Sequence, residues 1–91
     1  MNNAEKLLER MKRSSGDFSA LDFDTLYSGF GFTKREGGSH TVYSHPAFPQ
    51  LRATVARHKH LPTGYAKTAV KLINDLHKLE AEDHLTPEQE N

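Results

Sequence analysis

The chain contains no cysteine, so it has no disulfide framework, no thiolate metal site and no cysteine nucleophile. It has no apolar run approaching about 18 residues, which removes an ordinary membrane-spanning helix. An apolar signal segment is missing from the amino terminus, so the expected location is the cytoplasm. Net charge is missing too. Twelve Lys and Arg balance twelve Asp and Glu, which argues against a histone-like polycation and against an acidic solvating chain. What is present is modest: 91 residues, 35% apolar, with five Phe and three Tyr, enough for one small core and one domain.

Divided along the chain, the zero charge resolves into a pattern. Residues 1–32 carry a net −1 and residues 61–91 a net −3. Residues 33–60 hold Lys34, Arg35, Arg52, Arg57 and Lys59 against Glu36 alone, a net +4. Four of the six histidines, His40, His45, His58 and His60, lie in the same stretch. Solvated strands and loops would explain such charges without a function. A basic centre between acidic ends also suits an anionic partner.

Ala4, Leu7, Leu8 and Met11 recur at helical spacing and predict an amphipathic helix over about 3–14, capped by Asn2 or Asn3. Ser14-Ser15-Gly16-Asp17 is expected to end it as a turn. Phe23, Leu26, Tyr27 and Phe30 predict a second helix with Asp22 as its N-cap, closed near Gly29 and Gly31. Helical spacing then stops. Phe32 to Arg35 predicts a strand, Glu36-Gly37-Gly38 a hairpin turn, Ser39 to Ser44 the return strand, and Leu51 to Ala56 a third, half-buried strand. Ala66, Ala69, Val70, Ile73 and Leu76 predict a helix from about Gly64 to Leu79, followed by an acidic, flexible tail over 80–91. The expectation is a single α+β domain over 1–79 in the order α-α-β-β-β-α, with a three-stranded antiparallel sheet packed against helices.

Gly37-Gly38-Ser39-His40 is the most distinctive local string. A histidine beside glycines is sterically accessible, and histidine can accept and donate protons near neutral pH. A surface histidine on a hairpin would look the same. A Ser39–His40 nucleophilic pair is disfavoured, because adjacent strand residues point to opposite faces and no nucleophile elbow is present. His58-x-His60 would hold a metal only with further ligands, and no His-Glu-x-x-His occurs. Gly37-Gly38 is too short for a nucleotide-phosphate loop. No cofactor is expected.

In order along the chain come Gly31-Phe32, Arg35, Gly38-Ser39-His40, Val42-Tyr43, His45-Pro46, Thr54-Val55-Ala56-Arg57-His58, and the turn from Leu61 to Gly64. Across Tyr27 to Leu76 this series resembles the HicA (YcfA-like) toxins of bacterial toxin–antitoxin systems. Arg35 with Gly38-Ser39-His40 fits the family's Arg-x-x-Gly-Ser-His, and Thr54 to His58 resembles its Thr-Val-Pro-x-His. Thr41 stands where a second histidine is common, and Ala56 replaces the usual proline. The helix at 3–14 is additional to the smallest members.

The resemblance implies a double-stranded-RNA-binding-domain-like fold and a metal-independent endoribonuclease that cleaves mRNA and so inhibits translation and growth. It implies His40 as the catalytic residue and a HicB-like antitoxin as the protein partner. RNA carries its own nucleophile, the 2′-OH, so one histidine acting as general base or general acid suffices. Lys34, Arg35, Arg52 and Arg57 are the candidates to hold phosphates, with Ser39 and His58 beside them in the matched motifs. Tyr43 is the candidate to stack on a base. The competing expectation is a non-catalytic RNA-binding domain of the same fold; a module binding an acidic protein is a third.

Overall fold

The computed structural model describes the backbone of residues 2–14 and 16–89. Its elements are α1 (Asn3–Arg13), α2 (Ala20–Gly29), β1 (Thr33–Gly37), β2 (His40–Ser44), β3 (Arg52–Ala56) and α3 (Thr63–Gln89). The order is α-α-β-β-β-α, as the sequence predicts. Ser15 in the expected turn and Glu90-Asn91 in the expected tail lie outside the described residues.

Each of the first two helices begins with a reciprocal cap. The Asn2 side chain accepts from the Glu5 N–H while Glu5 accepts from the Asn2 N–H, and Ser19 and Asp22 repeat the arrangement. The N-cap of α2 is therefore Ser19, three residues before the expected Asp22, which serves as the answering carboxylate. At the other end Gly31 takes a φ of 91°, open to glycine without strain.

Gly29, the last residue of α2, is fixed by a neighbour rather than by its backbone. A Cβ there would collide with the Cβ of Ala4, where α1 crosses α2. Gly29→Val is expected to cost about 1–3 kcal/mol through overpacking, read as a lowered melting temperature. An unchanged melt would show that α1 shifts without penalty.

The sheet is a meander in the order β1-β2-β3, both pairs antiparallel. β1 runs two residues further than the sequence suggests, through Gly37, and β2 starts one residue later, at His40. Gly37 pairs with His40, and only Gly38 and Ser39 form the loop. Gly38 has a φ of 48° and Ser39 does not share the positive sign, the pattern of a type II′ turn. Alternation assigns the two faces. Thr41, Tyr43, Ala53 and Val55 face inward toward the helices and are buried. His40, Val42, Ser44, Arg52 and Thr54 face outward with Arg35 of β1.

α2 packs on β1 and β3, α3 on β3, and α1 on both other helices. The core joins Leu7, Leu8 and Met11 of α1 to Phe23, Leu26 and Tyr27 of α2, and to Ala66, Ala69, Ile73 and Leu76 of α3. Backbone bonds from Ala20 N–H to the His58 carbonyl and from Leu61 N–H to the Phe18 carbonyl, both 2.9 Å, tie the start of α2 to the segment after β3.

The last helix corrects the sequence reading. It continues past the expected end at Leu79 through Gln89. Glu80, Ala81, Glu82 and Asp83 are all exposed. Glu and Ala are good helix formers and neither Gly nor Pro interrupts residues 80–86, so the helix outruns its packed face. No described helix is long and apolar enough to cross a membrane.

Candidate active site

His40 is the first paired residue after the Gly38-Ser39 loop, at the tip of the β1–β2 hairpin on the outward face of the sheet. Its cross-strand neighbours are Gly37 on β1 and Ala56 on β3. Neither carries a side chain beyond Cβ, and a Cβ added at Gly37 would meet nothing within 4 Å. The imidazole is thus open on the Gly37 side.

Ser39 Oγ lies 3.1 Å from His40 Nδ1. The expectation that Ser39 and His40 point apart is therefore corrected: Ser39 sits in the turn, where strand alternation does not apply. The contact engages Nδ1 and leaves Nε2 of this exposed residue without a partner among the described residues. If Nδ1–H donates to the serine oxygen, Nε2 presents a lone pair and can take a proton. In the imidazolium both nitrogens are protonated, so Nδ1–H still donates to the serine oxygen while Nε2–H can be given.

The four candidate phosphate-holding cations divide between the two faces. Arg35 lies diagonally across from His40, about 7–8 Å away by sheet geometry. Arg52 lies on the same face, opposite Ser44, about 13 Å along the strand direction. Both are exposed, and neither has an ion-pair partner among the described residues.

Lys34 and Arg57 are on the other face and already engaged. Lys34 Nζ is 3.0 Å from Asp24 Oδ1 and 3.7 Å from Glu36, while an Arg57 guanidinium nitrogen is 3.3 Å from Glu36. Arg57 Nε also approaches Thr41 Oγ1 at 3.4 Å. The hydrogen bond to Asp24, then its charge, holds the Lys34 ammonium above the usual lysine range. This corrects the grouping of Lys34 and Arg57 with His40. They line a separate groove of about 550 Å³ with Asp24, Glu36 and the exposed His58. Its two carboxylates make it a poor cradle for phosphate.

Tyr43 is a further correction. Its ring is 2% exposed and stacks on Tyr27 with centroids 4.9 Å apart, so it offers no platform for a base. Its hydroxyl donates to Asp24 Oδ1 at 2.9 Å. Asp24 thus anchors both Tyr43 and Lys34, a role without a sequence signal, because an aspartate on a helix ordinarily reads as a solvated charge. His45 is likewise structural: its ring meets Phe32 edge-on at 5.2 Å, and its Nδ1 accepts the Ala47 N–H at 3.1 Å.

Burial pushes both the Tyr27 and Tyr43 phenols well above their ordinary value of 10.0, and for Tyr43 the bond to Asp24 adds to the shift. The folded state therefore retains protons that the unfolded chain releases near pH 10. Stability is intact below that pH and is lost as the pH rises through the raised folded values. Alkaline titration is expected to show phenolate absorbance from these two rings appearing together with loss of circular dichroism. Their ionisation near pH 10 with the fold intact would contradict this.

Compared with protein-family models, curated proteins and solved structures, the chain gives no match.

Proposed function

We propose that this chain is a metal-independent endoribonuclease of the HicA toxin type, cleaving mRNA in the cytoplasm with His40 as its catalytic residue. The observation that carries the reading is the setting of His40. An exposed imidazole stands at a hairpin tip between Gly37 and Ala56, with Nδ1 against Ser39 and the unpaired Arg35 on the same face. The α-α-β-β-β-α order and the antiparallel meander are compatible with the double-stranded-RNA-binding-domain-like fold that the sequence resemblance implies.

In the proposed reaction the 2′-oxygen of a ribose attacks the adjacent phosphorus and the bond to the 5′-oxygen breaks. The products are a 2′,3′-cyclic phosphate and a free 5′-hydroxyl. His40 Nε2 takes the 2′-proton, or supplies the proton that the 5′-oxygen gains; water serves the other end. Thr41 is buried on the opposite face and the Tyr43 hydroxyl is bonded to Asp24, so neither assists. Arg35 neutralises the phosphate as charge develops. A HicB-like antitoxin would act by covering this outward face.

The test is incubation of the purified protein with RNA in EDTA, with His40→Ala alongside. Cleavage by the wild type and not by the variant is expected. RNA binding without cleavage by either protein would favour the non-catalytic domain, and cleavage abolished by EDTA would point to a metal.

A further inference from the structure

The sheet has two edges, and they differ. On β1 the outer edge belongs to Lys34 and Glu36, flanking Arg35, and charged side chains of this kind discourage pairing. The β3 edge is Arg-Ala-Thr-Val-Ala, with one charge at its start.

Its backbone orientation follows from two hydrogen bonds that extend the β2–β3 ladder. Arg57 N–H donates to the Ser39 carbonyl at 3.1 Å, and His45 N–H to the Leu51 carbonyl at 3.2 Å. In an antiparallel ladder the bonded pairs alternate, so Leu51, Ala53, Val55 and Arg57 direct their peptide groups toward β2. Arg52, Thr54 and Ala56 direct theirs away from it. Among the described residues nothing bonds to these outward groups. Ala56 is 6% exposed, so the open part of the edge is Arg52 and Thr54.

That open edge borders a groove of about 470 Å³ between β3 and the first turns of α3. Its size suits a small planar ligand. Tyr65 and Thr68 of α3 form one wall, and Tyr27 reaches it from below. The Tyr27 hydroxyl bonds to no group among the described residues, and none of their buried side-chain oxygens lacks a partner, so this oxygen opens onto the groove although the residue as a whole is buried. Among the described residues no carboxylate lines the groove, and Arg52, one of its lining residues, has no ion-pair partner.

We infer that this groove binds a nucleobase of single-stranded RNA, a specificity subsite beside His40; the inference rests on the ribonuclease reading above. The Thr54 N–H and C=O point the same way and form a donor–acceptor pair. Every nucleobase carries an adjacent donor and acceptor on its edge, so the pair fits a base in the strand plane. Tyr65 offers an aromatic surface, the Tyr27 and Thr68 hydroxyls discriminate among base edges, and Arg52 receives the attached phosphate. Distance supports the link to cleavage. Thr54 is two residues from Ala56, the partner of His40, which is about 7 Å along the strand. A peptide strand fits less well, because two open residues are fewer than the shortest ordinary strand.

The test adds each of the four nucleoside 5′-monophosphates singly to isotope-labelled protein and follows backbone amide resonances. Saturable shifts at Thr54, Tyr65 and Thr68 are expected, larger for one or two of the nucleotides. Thr54→Pro deletes the outward N–H where an edge strand tolerates proline, and Tyr27→Phe deletes the hydroxyl while keeping the ring. Each is expected to weaken binding about tenfold, read at the Tyr65 and Thr68 amides, with melting retained as the control. The same shifts in His40→Ala are expected, because binding needs no chemistry.

Shifts confined to Arg52, or reproduced by inorganic phosphate alone, would overturn the subsite. So would shifts at these amides on raising protein concentration without nucleotide, the sign of strand pairing between two copies. Nucleotide binding by a protein that cleaves no RNA would sustain the subsite and remove the nuclease reading. Cleavage without nucleotide binding would do the reverse.

Discussion

Replacing His40 by alanine is expected to slow RNA cleavage by roughly 10²–10⁴-fold, the ordinary contribution of one general acid–base group, with no change in melting temperature. Activity and stability separate here because His40 is exposed and, among the described residues, its side chain is bonded only to Ser39. Surface substitutions of this kind usually stay within about 0.5 kcal/mol. Single-turnover cleavage of end-labelled RNA, beside a thermal melt, reads both quantities. Ser39→Ala supplies the scale. Loss of one hydrogen bond to Nδ1 corresponds to at most about a tenfold effect. If Ser39→Ala were as damaging as His40→Ala, Ser39 would be the nucleophile, and the reaction would pass through a phosphoserine rather than a cyclic phosphate.

The order of elements was legible because the helices and β3 carry their own apolar periods, and Gly37-Gly38 marks the β1–β2 hairpin that places His40 near its tip, although β1 itself is exposed throughout. Face membership was harder. Lys34 and Arg35 are equivalent as a sequence of cations, yet one residue of register sends Lys34 toward Asp24 and leaves Arg35 beside His40. The same alternation buries Tyr43 and frees the edge of Thr54, and neither follows from composition. Asp24 was invisible because its partner Tyr43 is 19 residues away. Ser19-x-x-Asp22 was a readable capping signature, but Asp22 alone is also a good N-cap, and the shorter helix was the simpler reading. The length of α3 was missed for a different reason. Periodicity reports where a helix is packed, and beyond Leu79 α3 has exposed side chains through Asp83.

Tyr27→Ala is expected to have the largest effect on the fold, removing about 3–5 kcal/mol. A domain of this size holds about 5–15 kcal/mol in total, so the variant should be marginal or unfolded at ordinary temperature. The reason is position. The Tyr27 ring lies 4.9 Å from Tyr43 on β2, 5.1 Å from Phe32 before β1, and 6.5 Å from Phe23 on its own helix. It joins the helical layer to the sheet at the point from which the hairpin extends. The loss reaches the outward face as well. The Tyr43 ring, left without its stacking partner, no longer fixes the strand that begins at His40. Tyr27→Phe separates the ring from its hydroxyl: it keeps every ring contact and removes a group with no partner among the described residues. Chemical denaturation of both variants is the measurement, with midpoint and slope read together. A midpoint for Tyr27→Ala close to wild type would mean that the aromatic cluster is not what couples helices to sheet. A fall in Tyr27→Phe as deep as that in Tyr27→Ala would assign the stability to the hydroxyl instead.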